Sequence, residues 1–238
     1  INIKFIKETG VIHVCNNGPS IGIYETKNLQ GVVMYAPQLI ASEFLSGDNL
    51  DEDSERITGG TNGAGLKLTN AFSDYLTLRT VDTKVKKHYE QTFRDRLTVI
   101  ENPIIRKLND LEKESFTEIE FLPSYSVFGY ADGYKKELFS ELEQLVISRA
   151  YQAAAFTKAD IYYNDQKIEI PIAPTCVKKN TTFYNFAHMF IPFPEYGLYG
   201  TNITSTDETL KKFPWNICIG VSDGKFRQVS LINGIYVY

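Results

Sequence analysis

The sequence predicts an α+β fold in which strand hairpins outnumber helices. Three observations carry that prediction. Segments with period-two alternation recur in pairs around short turns. One long stretch, Lys136 to Ala155, holds apolar residues at helical spacing. The composition, 43% hydrophobic and 23% charged over 238 residues, is that of a folded globular chain and excludes a disordered one.

In chain order, Ile1, Ile3 and Phe5 alternate with Asn2 and Lys4, turn at Glu8-Thr9-Gly10 and return through Val11 to Cys15, a hairpin broken by Asn16-Asn17-Gly18-Pro19-Ser20. Residues 28–35 carry no decisive pattern. Proline in its first turn and Leu39, Ile40 and Phe44 on one side predict a helix from Pro37 to Leu45. Ser46 to Thr58, rich in Asp, Glu, Gly and Ser, reads as an exposed loop. Leu66 to Phe72 reads as a short helix. Tyr75–Thr80 and Val85–Phe93 form the next hairpin, and Phe116–Phe121 is a strand stopped by Pro123. The helix Lys136–Ala155 has Leu138, Leu142, Leu145, Val146, Arg149 and Ala153 three and four apart. Asp160–Ile170 turns at Asn164-Asp165. Trp215–Val221 and Phe226–Ile232, joined through Ser222-Asp223-Gly224, predict a closing hairpin. The texture changes near residues 171–180, so a boundary is expected there, with one domain over 1–173 and a second over 174–238.

Twenty-five basic and 29 acidic residues leave a net charge of −4, so no overall cationic footprint marks the chain for wrapping nucleic acid. Phosphates would have to be met by a local device. Cys15, Cys176 and Cys218 are too few and too scattered for a disulfide framework or a zinc site, and they suit a reducing compartment. No apolar run is long enough to cross a membrane. The chain opens without Met, and both ends read as strand, as expected of a piece of a longer polypeptide.

The strongest chemical signal is Gly60, Gly63 and Gly65 running into the short helix, followed by Lys67. Helix-start amides and nearby glycines admit a phosphate without a Cβ in the way, and a lysine adds a full charge. The Walker pattern fails because Lys67 comes one residue late and Leu68 stands where Ser or Thr would hold magnesium. The Rossmann glycine order is reversed. Taken alone, the segment reads equally well as a glycine-rich turn into a helix.

The order of segments adds more. Asn16-Asn17-Gly18-x-x-Ile21, Tyr35-Ala36-Pro37-Gln38-Leu39-Ile40, the acidic Asn49-Leu50-Asp51-Glu52-Asp53, and Thr58-Gly59-Gly60-Thr61-Asn62-Gly63-Ala64-Gly65-Leu66-Lys67-Leu68-Thr69-Asn70-Ala71-Phe72-Ser73 occur in that sequence. Together they resemble the ATPase domain of type IIA DNA topoisomerases of the eukaryotic and large-DNA-virus branch, in the superfamily of gyrase, MutL proteins and histidine kinases. The resemblance covers the whole chain. It implies a Bergerat-type fold: a mixed, mostly antiparallel sheet with helices on one face, followed by the first strands of a transducer domain.

It also implies residue roles. Asn16 stands where the family recognises adenine, although the same amide alone reads more simply as an Asx turn. Gly47, Asp48 and Asn49 match the loop that touches ribose and phosphates. Asn49 is the stronger binding residue there, because Asp48 is awkward beside a triphosphate. Gly60, Thr61, Asn62, Gly63, Ala64, Gly65, Leu66 and Lys67 match the triphosphate cradle, with the Ser46–Thr58 loop as a lid. Thr61 replaces a familial arginine, Ala64 a tyrosine and Ser20 a glycine, which points to a divergent, viral-like branch. The family's water-activating glutamate and magnesium-holding asparagine are expected upstream of Ile1, since no Glu-x-x-x-Asn precedes Asn16, so the chain holds no catalytic residue of its own.

For the parent protein the resemblance implies ATP with Mg2+, a homodimer, DNA as substrate, no membrane, and an intracellular home in the nucleus or, for a virus, the host cytoplasm. Two rival readings remain: another ATPase of the superfamily acting as a clamp, and a degenerate dimerisation module that no longer binds nucleotide. His13, His88 and His188 read as structural. Lys84, Lys86, Lys87 and His88 read as a basic strand with a solvated face, and Trp215 with the aromatics of 183–199 as packing residues.

Overall fold

A computed structural model describes residues 1–44, 63–110, 112–172, 182–191, 198–203, 215–226, 228–232 and 235–237. The chain forms two compact units, Ile1–Ala150 with Asp160–Lys167, and Tyr151–Ala159 with Ile168–Tyr238. The boundary expected at 173/174 falls within 173–180, outside the described residues.

The first unit opens on a hairpin of β1 (Asn2–Ile6) and β2 (Val11–Asn16). Gly10 closes the turn at φ +78°, where a Cβ would lie 2.6 Å from the Tyr134 ring and 2.7 Å from the Tyr125 hydroxyl, so both backbone shape and space require glycine. That hydroxyl donates to the Gly10 carbonyl at 2.6 Å. A short hairpin, β3 (Glu25–Lys27) with β4 (Val33–Tyr35), settles the ambiguous residues 28–35. It leads into α1 (Ala36–Ser42), which has Pro in its first turn and buries Ala36, Pro37 and Ala41. After α2 (Gly65–Ala71) come β5 (Ser73–Asp82), β6 (Lys87–Arg94), β7 (Val99–Ile100), β8 (Ile104–Lys107) and β9 (Phe116–Pro123). A 3₁₀ turn at Lys136–Leu138 starts the long helix α3 (Phe139–Phe156), and β10 (Tyr162–Tyr163) and β11 (Gln166–Lys167) close the unit.

The strands form one sheet in the order β11-β10-β1-β2-β9-β5-β6-β7, with β8 also on β6. Every pairing is antiparallel except β1 with β10. Opposed residues in such a ladder share a face, so register assigns the two faces. Phe5↔Ile12, Ile12↔Phe121, Phe121↔Leu76 and Leu76↔Phe93 put these five on one side, with Leu78 and Gln91, and Thr80 and Tyr89, beside them. On this side Leu76, Leu78, Tyr89 and Phe93 are fully buried against Ile23 and Ala41, with Leu66 of α2 packed on the cluster. Each such apolar side chain contributes about 1.5–3 kcal/mol by leaving water. Phe139 stacks on Phe5 with ring centroids 5.6 Å apart, so α3 begins on the same side. Helices on one face of a mostly antiparallel sheet is the predicted architecture. The opposite face is polar: Arg79 reaches Glu90 at 3.0 Å and Glu118 at 2.6 Å, and the Tyr75 hydroxyl donates to Glu120 at 3.1 Å.

The second unit contains α4 (Thr182–His188) and two small antiparallel pairs, β12 (Leu198–Ile203) with β13 (Trp215–Ile219) and β14 (Ser230–Ile232) with β15 (Ile235–Val237). The predicted closing hairpin is therefore corrected. Trp215–Ile219 pairs backwards with Leu198–Ile203, and Ser230–Ile232 pairs forwards with Ile235–Val237. Among the aromatics of 183–199, Tyr184 and Phe186 are buried, and Phe156 meets Phe186 edge to face at 5.1 Å. The Trp215 side chain lies outside the described residues.

Candidate functional site

The described part of the predicted cradle begins at Gly63, whose φ of +57° is left-handed, and runs through Ala64 into α2. The helix has no side-chain cap: Ala64 at its N-cap offers no oxygen to the first-turn amides. Gly65 is exposed, and nothing among the described residues lies within 4 Å of where its Cβ would be. Neither a positive φ nor crowding by the described residues requires glycine at that position. Helices disfavour glycine by up to about 1 kcal/mol relative to alanine. An uncrowded glycine at a helix start leaves open space beside the described backbone.

Lys67 is the feature of most consequence. Spacing within α2 turns Leu66, Lys67 and Asn70 toward the sheet, and Lys67 is only 2% exposed. Its Nζ donates to the Gly63 carbonyl at 2.5 Å. No carboxylate accompanies it among the described residues, and burial pulls its pKa below the ordinary lysine value. An ammonium group has three donors, and among the described residues one is used, toward Gly63. Buried charge without a counter-charge is unfavourable, and a desolvated cation with donors left over by the described residues is suited to an anion.

Asn70, 1% exposed, ties the two short helices together by donating from Nδ2 to the Ala41 carbonyl at 3.0 Å. Its Oδ1 is buried and has no partner among the described residues. Asn16 ends β2 on the helix-covered face, because Asn16↔Thr117 continues the register of Ile12↔Phe121 and Val14↔Ile119. Its Oδ1 accepts from the Gly18 amide at 3.2 Å, so the Asx turn does form. That bond leaves a second lone pair on Oδ1 and both Nδ2 hydrogens, so the turn does not exhaust the amide.

The structure therefore joins Gly63 and Lys67 directly through a hydrogen bond, sets Ala64, Gly65 and Leu66 between them, and places Asn16 on the same face of the sheet without a bond to them. Gly47, Asp48, Asn49, Gly60, Thr61 and Asn62, with the loop Ser46–Thr58, lie outside the described residues. Two residues escaped the sequence reading. Thr117, 7% exposed and opposite Asn16, has its hydroxyl 3.2 Å from that of Thr80; only strand register reveals it. Asn70 could have been found, as a polar side chain at an inward helical position three residues after Lys67. The histidines have protein partners: His13 Nε2 lies 3.2 Å from Glu118, His88 Nδ1 2.7 Å from Glu112, and His188 Nε2 2.8 Å from the Tyr184 hydroxyl. Among the described residues no His, Cys, Asp or Glu group is placed to hold a metal ion, and no helix is long and apolar enough to cross a membrane.

No protein-family model matches the chain. Among curated proteins it is 31% identical over 238 residues, all of its length, to DNA topoisomerase 2 of Penicillium chrysogenum. It is 32% identical over 240 residues to DNA topoisomerase 2 of an African swine fever virus isolate, a match that covers 98% of the chain. The chain spans 14% of the fungal protein and 19% of the viral one. Among solved structures it superposes on the ATPase region of Saccharomyces cerevisiae topoisomerase II with a TM-score of 0.76 at 25% identity, covering 99% of this chain and 56% of that one. The ATPase and transducer domains of DNA topoisomerase II from Balamuthia mandrillaris give 0.75 at 27% identity, covering 99% and 54%.

Proposed function

We infer, from a chain that belongs with the ATPase regions of type IIA DNA topoisomerases in both sequence and fold, that this protein is the ATP-binding part of such an enzyme. The observation that carries the inference is Lys67, a buried ammonium held by one backbone carbonyl and lacking any acidic partner among the described residues. ATP, when bound, supplies the negative charge that the described residues do not provide at this position. The chain's own residues do the rest. Lys67 turns its spare donors to the phosphates, the amides heading α2 add weaker donors, and Gly65 leaves space for close approach. Asn16, with Thr117 across from it, reads the adenine edge by donating and accepting. Gly47, Asp48 and Asn49 belong to the ribose and phosphate contacts, and Gly60, Thr61, Asn62, Ala64 and Leu66 to the rest of the cradle.

Magnesium has no fitting ligand set among the described residues, so no step is assigned to it here. In the parent enzyme, we propose, nucleotide binding brings two copies together and closes a gate on one DNA duplex, which passes through a break in another. Residues 174–238 would begin the transducer that relays this closure. The 238 residues alone would bind ATP without turning it over, because no Glu-x-x-x-Asn precedes Asn16 to activate water. Titration calorimetry with a non-hydrolysable ATP analogue tests the reading, and a phosphate-release assay tests its limit. Binding that Lys67→Ala weakens, without turnover, supports both statements. Absence of binding would leave the degenerate dimerisation module as the better account, and turnover insensitive to Lys67→Ala would overturn the assigned roles.

A further inference from the structure

The groove at the far end of β5 and β6 carries charge that the nucleotide site does not use. Its volume is about 640 Å³, and four of the eight residues lining it are lysines: Lys86, Lys87, Lys107 and Lys113. They come from four backbone segments: the β5–β6 turn, the start of β6, the end of β8 and the loop before β9. The sequence reading of a basic strand is corrected here. Lys84 and Lys86 sit in the turn, while His88 is 9% exposed and faces Glu112 rather than solvent.

The backbone that presents the lysines is held in place. Asp82 Oδ1 accepts from the Lys84 amide at 2.9 Å, the Thr83 and Ser115 hydroxyls meet at 2.8 Å, and the Leu108 amide donates to the Lys86 carbonyl at 3.2 Å. Lys86 is held at a left-handed φ of +54°, a conformation unfavourable for lysine. The one carboxylate in the lining, Glu112, is already taken. Arg106 reaches both its oxygens at 2.6 Å, and His88 joins at 2.7 Å. None of the four lining lysines has an acidic partner among the described residues, in a chain whose net charge is −4.

We propose that this groove is a contact surface for the sugar-phosphate backbone of a nucleic-acid duplex, read without regard to sequence. Two features suit a phosphate backbone. The lining cations are lysines, which bind phosphate as compact point charges and tolerate many phosphate geometries. The lining holds no aromatic or side-chain amide to read a base edge, which leaves the backbone as the recognised element. β5 starts beside α2 and runs 10 residues to this turn, so the groove lies roughly 30 Å from the cradle and does not depend on the nucleotide reading.

The test is binding of a fluorescein-labelled 20-base-pair DNA duplex to the 238-residue chain, followed by anisotropy across salt concentrations. Each phosphate contact adds about 0.9 to the slope of log affinity against log salt, so four give roughly a 150-fold fall between 50 and 200 mM. Substituting Lys86, Lys87, Lys107 and Lys113 together with Gln should abolish that dependence while leaving the melting midpoint in place, because these side chains bond to none of the described residues. Lys27→Gln with Lys158→Gln removes charge elsewhere and should leave binding unchanged. Duplex binding unaffected by the four substitutions overturns the proposal. So does equal or tighter binding of polyglutamate through the same lysines, which would make the groove a site for acidic proteins. Should the fourfold variant melt early, the Lys107→Gln, Lys113→Gln pair carries the same test at half the slope change.

Discussion

Replacing Lys67 with methionine separates a binding lysine from a structural one, because the two roles predict opposite signs. Methionine keeps the length and apolar stem and removes the charge. The empty protein loses one hydrogen bond from a charged donor to the Gly63 carbonyl, about 1.5–3 kcal/mol at most. That loss is softened because Gly63 is half-buried and water can take the carbonyl. It gains relief from desolvating an ammonium that has no counter-charge among the described residues, an effect of about several kcal/mol in protein interiors. The expected net is an unchanged or raised stability, by up to about 2 kcal/mol, or roughly 4–8 °C in melting midpoint for a chain of this size. Binding of an ATP analogue should weaken about 10- to 150-fold, the equivalent of one lost charge-assisted bond. The pH dependence has a definite sign. Lys67 has a lowered pKa when folded, so its burial penalty is full at pH values below that folded value. It fades as pH rises toward the unfolded lysine value near ~10.4, and the advantage of the variant should shrink with it. Thermal melts at neutral and alkaline pH, with calorimetric titration, read all three. A variant that melts well below wild type at neutral pH and binds the analogue unchanged would show that Lys67 serves the fold and not the ligand.

Gly65→Ala should leave the empty protein as stable or up to about 1 kcal/mol more stable, since the backbone is helical and the Cβ has open space, while weakening the analogue. Paired melting and titration measurements check it; equal affinity would mean that nothing approaches that backbone. Glu112 is held down at about 2, first by its hydrogen bonds from Arg106 and then by the Asn109 amide and His88. A carboxylate with a lowered folded pKa contributes stability above its unfolded value, near ~4.3, and loses it as pH falls toward 2. Urea unfolding between pH 6 and pH 2 should therefore show an acid-dependent component in wild type that Glu112→Gln removes.

What could be read from sequence was what the chain settles locally. The β1–β2 hairpin needs only Gly10, and the β10–β11 turn needs only two residues tolerant of left-handed backbone, Asn164 at φ +48° and Asp165 at +64°. Pairings of distant partners were not legible: β9 inserts between β2 and β5, and β10 lies parallel to β1 some 160 residues away, because alternation fixes a face but not a neighbour. The Trp215–Ile232 segment shows the same limit from the other side. Ser222-Asp223-Gly224 satisfies local turn chemistry, yet Trp215–Ile219 finds its partner in Leu198–Ile203. His88 is structural, as read, but the solvated face expected of its strand is not its surroundings: its sequence neighbours are lysines, and its spatial partner is Glu112, 24 residues on.

The proposed cradle stands out in the sequence for a different reason: each of its described parts is a poor local choice. A helix that begins without a cap, a glycine where neither φ nor crowding requires one, and a lysine on an inward helical position all oppose the stability of α2 taken alone. Sequences that specify a fold agree with it at every level, and local disagreements concentrate where a site is built. These three converge within five residues, and one missing component, a polyanion, would reconcile them. It would accept from the uncapped amides, occupy the space beside Gly65 and neutralise Lys67. A glycine-rich turn with only a structural role would instead carry a Ser or Asp cap and an outward lysine. α2 has neither among the described residues, which is the pattern the proposed nucleotide site requires.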